Sequence, residues 1–297
     1  MNSVCFVTMG PVEWGSSRMR AYWPARYIPD AIVVTMAEVG QGNLPDAAAY
    51  VFQKVVAPAL AAKLRAMGRI VFWDVCDPSW WFDTQAAIEA VNNVDGIVAS
   101  SEPLAADLQE WKAMHNTEPV GVTVIPDRVE LSHFAPPLRY VPGEPVKLIW
   151  YGIAANRIAL FAAVVNLMRW RGDGHDISLT IFDDAPDRRF PDLDAIMPVT
   201  YKRWTLDTEA ETLAAHHIAL LPPYPGPWGR VKSNNRTVTG WAAGLQVITG
   251  ESYHALTGAI REMEAGHDQR GLVAAYYNVE QSAQEWMDLI NDLSGGK

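Results

Sequence analysis

The sequence predicts an α/β protein built as two consecutive halves, and three observations carry that reading. Short apolar, β-branched runs alternate with helical stretches along the chain, the pattern of parallel sheets covered by helices. The alternation breaks once, across residues 126–145, which hold five prolines and little periodicity and make the best domain boundary. Each half also opens in the same way, as a strand, a glycine-bearing loop and a helix: residues 3–9 precede Gly10, and residues 146–151 precede Gly152.

Taken in order, residues 3–9 are an apolar first strand, and the loop from Gly10 leads to a helix that carries Arg18 and Arg20. Neither a Gly-x-Gly-x-x-Gly fingerprint nor a Gly-Lys-Ser/Thr loop is present, which disfavours nicotinamide dehydrogenases and P-loop enzymes. Residues 31–36 and 49–55 read as strands, residues 58–67 as a helix and residues 69–73 as a strand. The turn after that strand runs Asp74-Val-Cys-Asp77-Pro-Ser-Trp80-Trp81. Acids and aromatics at the carboxyl end of a parallel strand lie where open α/β sheets place ligands. Asp74 and Asp77, with Glu13 in the first loop, are therefore candidate catalytic carboxylates. Helix, strand and helix follow over residues 82–114, and residues 122–125 close the first half.

The second half has strands at 146–151, 177–182, 200–204, 218–221 and 245–248. Helices are expected up to about residue 171 and at 208–216, 236–243, 253–264 and 281–293. The stretch from Trp228 to Ile248 is its most informative part. Ser233 and Asn234 are suited to capping a helix, and Gly244 stands where that helix stops. Arg230, Lys232 and Arg236 crowd the helix start, an unfavourable place for cations unless an anion is bound there. No Asp or Glu occurs from Thr212 to Gly250, where average acid content would place about four.

Composition narrows the function. The chain has 297 residues, 49% of them hydrophobic and 20% charged, with a formal net charge of −10. A charge of that sign argues against broad nonspecific binding to nucleic acid while leaving room for a local basic groove. No apolar run is long enough to cross a bilayer, and the first residues lack the basic start and apolar core of a signal peptide. Cys5 and Cys76 fall in predicted strands and read as small buried hydrophobes, so a reducing, cytoplasmic location is expected. Of the twelve tryptophans, Trp14, Trp80, Trp81 and Trp228 lie in predicted loops and are candidates for stacking on a sugar or base.

The order of these motifs resembles a nucleotide-sugar glycosyltransferase of the GT-B fold, in the broad family 4 type. The resemblance rests on Ile149-Trp-Tyr-Gly152 with Asn156, on His217-Ile-Ala-Leu-Leu-Pro222, and above all on Lys232-Ser-Asn-Asn-Arg236 with Ala242-Ala-Gly-Leu-Gln-Val247. Ser16 or Ser17 with Arg18 and Arg20, and the Ile125-Pro-Asp turn, also fit. The resemblance implies two Rossmann-like domains facing each other across a cleft: residues 1–143 for the acceptor and residues 144–280 for the donor. Residues 281–297 would form a C-terminal helix packing back on the first domain. It implies a nucleoside-diphosphate sugar as donor, with no cofactor and no metal. Gly152, Asn156, Arg157, Arg230, Lys232, Ser233, Asn235 and Arg236 would hold the donor and its phosphates. Trp14, Ser17, Arg18, Arg20, Trp80 and Trp81 would line the acceptor side. Catalysis then amounts to stabilising the departing diphosphate and positioning the nucleophile. The chain departs from the pattern: Val231 and Thr239 stand where many members carry two glutamates, Gln246 replaces the proline of the turn, and the domains are short for the class.

Three rival readings each fit part of the sequence. Asp183, Asp187, Asp192 and Asp194 offer a carboxylate metal site of the other major glycosyltransferase fold, although acids after strands are commonly turn residues. A DNA glycosyltransferase acting on a hydroxymethylated base would fit a compact chain with aromatic loops and Arg18, Arg20 and Arg26 near the cleft. A non-catalytic nucleotide-sugar-binding module would fit the missing glutamates.

Overall fold

In the computed structural model, which describes residues 3–250 and 252–295, the chain forms two compact units. The first comprises Met1–Val129, Arg230–Asn235 and Tyr277–Lys297; the second comprises Glu130–Gly229 and Arg236–Tyr276. Each unit is built on one fully parallel sheet.

The first sheet contains β1 (Val4–Thr8), β2 (Ile32–Thr35), β3 (Ala49–Gln53), β4 (Ile70–Val75), β5 (Gly96–Ala99) and β6 (Val122–Val124) in the order β2-β1-β3-β4-β5-β6. Its central strands read as unbroken apolar runs because both faces are covered. Cys5, Val7, Tyr50, Phe52, Val71, Trp73 and Ile97 point to one core. Val4, Phe6, Ala49, Val51, Ile70, Phe72 and Val98 point to the other. Helix Val279–Gly295 fills the second core with Trp286, whose ring meets Phe6 edge-on at 5.8 Å and Phe72 at 5.6 Å. Cys5 and Cys76 are buried, and burial pushes both thiols up to about 12, which keeps them neutral.

The second sheet contains β7 (Val146–Tyr151), β8 (Ile177–Asp183), β9 (Val199–Arg203), β10 (Ile218–Leu220) and β11 (Gln246–Ile248), ordered β11-β10-β7-β8-β9. Helix Asn235–Ala242 connects β10 to β11 and ends at Gly244, whose φ is +79°. The Leu245 N–H reaches back to the Gly240 carbonyl at 2.9 Å, closing the helix in a Schellman turn.

The proline-rich stretch is no loose linker. Val129 still belongs to the first unit, its N–H donating to the Tyr277 carbonyl at 3.0 Å. From Glu130 onward the stretch lies on the second unit. Arg270 Nη1 donates to the Ala135 carbonyl at 3.0 Å, and Leu138 N–H donates to the Ala214 carbonyl at 2.8 Å. Short helices at Pro191–Ile196, Pro227–Val231 and Gln269–Tyr276 were not expected from the sequence. Two of them begin at a proline, which the first helical turn accepts and which sequence patterning reads as a loop signal. Among the described residues no helix is long and apolar enough to cross a membrane.

Candidate functional site

In the second unit the chain runs from β7 outward to β8 and β9, then returns to the opposite side of β7 for β10 and β11. Such a reversal is where open α/β sheets bind ligands, here beyond the carboxyl ends of β7 and β10. Gly152 directly follows β7. Arg236, in the first turn of helix Asn235–Ala242, places Nη1 3.5 Å from the Tyr151 carbonyl. A Cβ built on Gly152 would stand 3.6 Å from the same nitrogen. The Tyr151 hydroxyl donates to the Arg236 carbonyl and ties the helix start to the strand end. Burial pushes the Arg236 guanidinium below its ordinary value, with Tyr151 opposing the shift. Among the described residues no carboxylate pairs with it. A half-buried cation without a counter-ion is unfavourable, and an anion beyond these strand ends would lower that cost.

The other donor candidates divide. Arg157 is not available to a phosphate: it is buried and holds Asp183 through two bonds, one of them 2.7 Å long, and also donates to the carbonyls of Ala185 and Arg188. It knits the end of β8 to the following turn. Asn156 is half-buried in the turn Ala154–Leu160, its N–H donating to the Ile153 carbonyl at 2.8 Å. Arg230 is exposed, and Ser233 and Asn235 are half-buried beside the helix start. Lys232 belongs by its contacts to the first unit, where its ammonium meets Asp77 Oδ1. The expected pair of cations is thus divided between the units, Arg236 lying in the second.

In the first unit the acceptor candidates prove largely structural. The chain from Gly15 to Ala25 is one helical run with a π-turn at Arg18–Tyr22, a distortion frequent at functional sites. It buries Ser17, whose hydroxyl donates to Gln53 Oε1 at 3.2 Å. Arg18 is buried over the Trp23 ring and donates to the Glu13 carbonyl at 3.2 Å. Arg20 is buried too, bonding Asp74 through Nε at 2.8 Å, Asp127 through Nη1 at 2.8 Å and the Ile125 carbonyl at 2.9 Å. Asp74 is not in a loop: β4 runs on to Val75, which leaves its carboxylate 0% exposed. Burial pushes its carboxyl up against the pull of Arg20. Asp74 therefore cannot touch a substrate, and Arg20 is committed to it. Trp80 is likewise core, 0% exposed with Nε1 on Asp107 at 2.8 Å. Trp81 shares that carboxylate at 2.9 Å but keeps an exposed ring.

Glu13 and Trp14 are exposed, and Asp77 is buried at 8% exposure. Asp77 carries Lys232 on one oxygen and Lys54 on the other. The sequence reading missed Lys54 by running its strand to residue 55. It follows β3 with φ at +63°, a left-handed conformation costing a non-glycine residue about 1–2 kcal/mol. The one legible signal was a lysine just beyond an apolar strand. Among the candidate metal-ligating acids, Asp183 is held by Arg157, Asp194 pairs with Arg189 at 3.1 Å, and Asp187 pairs with Arg203 at 3.5 Å.

No protein-family model matches the chain, and no curated protein matches it. Solved structures do. The OtsA apo structure aligns with a TM-score of 0.65 at 8% identity, over 98% of this chain and 99% of that one. An α-glucosyltransferase solved with UDP and a 13-mer DNA containing an HMU base also aligns at 0.65, with 10% identity over 98% and 99% of the two chains. TarM aligns at 0.55 with 13% identity over 91% of this chain, which spans only 57% of TarM. Identities this low speak to architecture, and the architecture is the GT-B fold of glycosyltransferases.

Proposed function

We propose that the chain is a glycosyltransferase that moves a sugar from a nucleoside-diphosphate sugar to an acceptor hydroxyl. The observation that carries this reading is Arg236, a half-buried guanidinium beyond the carboxyl ends of β7 and β10 with no carboxylate partner among the described residues. A diphosphate supplies the missing charge, and Gly152 leaves its backbone open to a close approach. The developing charge on the leaving diphosphate is then met by a fixed cation and a helix start, so the chemistry asks for no metal. Asp77, buried in the first unit but less so than Asp74, is the carboxylate assigned to orient the acceptor hydroxyl.

The reading is tested by incubating the protein with a panel of nucleoside-diphosphate sugars and following release of nucleoside diphosphate. One donor is expected to turn over slowly to free sugar, and faster once its acceptor is added. Failure of every donor to bind would contradict the proposal. A binding-only module is the second reading, favoured by Val231 and Thr239, which are 7% and 4% exposed where glutamates would face a donor. Donor binding without any turnover across acceptors would support it.

A further inference from the structure

The second unit carries an apolar surface that the donor reading does not use. Helix Phe161–Gly172 and the turn Ala154–Leu160 before it bury Leu160, Ala163, Leu167 and Trp170, and the polar Asn166 is buried with them. The outward side is apolar as well: Ile158, Phe161, Val165 and Met168 are 49%, 54%, 62% and 53% exposed. Their spacing of three, four and three residues sets them in one narrow row, the seam by which one helix packs on another. Phe161 meets Phe190 with ring centroids 4.8 Å apart, which widens the row near its middle. No Asp or Glu occurs from Pro145 to Gly172, whereas a helix face meant for water carries charge.

The row is complementary to its own reverse. A two-fold axis across its centre sets Ile158 opposite Met168 of a second copy, and Phe161, the largest of the four, opposite Val165, the smallest. The same axis sets the exposed Arg171 opposite position 155 of the second copy. The neighbouring Ala154 donates its N–H to Asp184 Oδ1 at 2.6 Å, and Asp184 is exposed. A cation therefore meets a carboxylate at each end of the pair, and the two antiparallel helices set opposed macrodipoles side by side.

We propose that this row is a homodimer interface, in which two copies of the chain pair antiparallel along helix Phe161–Gly172 with Arg171 of each copy on Asp184 of the other. Four large side chains about half exposed offer on the order of 400 Å² per copy, within the size that marks an interaction surface. Two such rows with their rims bury roughly 1,000 Å², the lower end for a specific interface. The dimer is accordingly weak and reversible, with a dissociation constant on the order of ten micromolar. An anionic membrane fits less well: the row is one side chain wide, has no exposed Lys or Trp in it, and belongs to a chain of net charge −10.

The test is sedimentation velocity on the full chain from about 1 to 300 µM, over which wild type should pass from monomer to dimer. Phe161→Asp should associate at least about 100-fold more weakly, and its melting temperature at high dilution should hold because the ring lies outside the core. Arg171→Asp and Asp184→Arg each place like charges at both ends of the dimer and should weaken it by about tenfold or more. An equimolar mixture of those two variants restores opposite charges at both ends and should dimerise as wild type does, a rescue that misfolding cannot produce. The proposal is overturned if wild type stays monomeric up to about 300 µM. It is equally overturned if Phe161→Asp dimerises like wild type, or if the charge mixture stays monomeric. Vesicles of phosphatidylglycerol and phosphatidylcholine that bind wild type but not Phe161→Asp, with no dimer in solution, would assign the row to a membrane and overturn it too.

Discussion

At the scale of single residues, the decisive contrast is between charges that are already answered and those that are not. Arg157 and Arg20 looked as eligible as Arg236 in the sequence, because no local pattern reveals which arginine will find a carboxylate from a distant strand. Arg20 meets Asp74 across 54 positions and Arg157 meets Asp183 across 26, so both act as framework. Breaking such a buried pair is expensive. Asp74→Asn should lower stability by about 3–5 kcal/mol in urea denaturation, whereas a purely catalytic acid would lose turnover with stability intact. His216 offers a second test. Its Nδ1 lies 2.7 Å from the Thr212 carbonyl and its Nε2 2.8 Å from Thr180 Oγ1, and burial lowers it to about 4 from 6.5. Between those values the unfolded chain is protonated at this site and the folded chain is not, so stability rises with pH. Up to about 3 kcal/mol present above pH 6.5 should be lost as pH falls through 4, and His216→Gln should flatten that part of the profile.

At the scale of elements, the strands and the helix that carry the site were legible because they are locally determined. Short runs such as Val146–Tyr151, apolar but for Lys147 and too short for a helix, read as buried strands, and a helix that ends at Gly244 announces its stop. Gly244→Ala should cost about 2–4 kcal/mol, since it adds a left-handed alanine to a clash with Pro137, 2.4 Å from the new Cβ. Thermal or urea unfolding measures that loss. What the sequence hid were features fixed by tertiary contacts. Lys54 turns left-handed, β4 carries Asp74 into the core, and Pro227 opens a helix where prolines suggested a loop. Trp80 shows the same limit, since its flanking Asp77-Pro-Ser reads as an exposed turn while Asp107 and Trp111 enclose it.

At the scale of the whole molecule, the two α/β halves were visible in the alternation of strands and helices, and the GT-B architecture in the resemblance carried by the motifs between Ile149 and Val247. The chain path was less so: residues 230–235 and 277–297 return to the first unit, and only contacts far apart in sequence decide that. Helix Val279–Gly295 completes the first unit's core, so Trp286→Ala should cost about 3–5 kcal/mol and strip hydrogen-exchange protection from β1 and β4. The functional account depends on the second unit binding a nucleoside diphosphate at Arg236. The direct measurement is calorimetric titration of nucleoside diphosphates, UDP first, into wild type and Arg236→Ala, with melting temperatures recorded for both. The account predicts saturable binding to wild type and a loss of about 10–100-fold in the variant at unchanged fold, the worth of a charge-assisted phosphate contact. Equal affinity in the two proteins, or no nucleoside diphosphate bound by wild type, would contradict it.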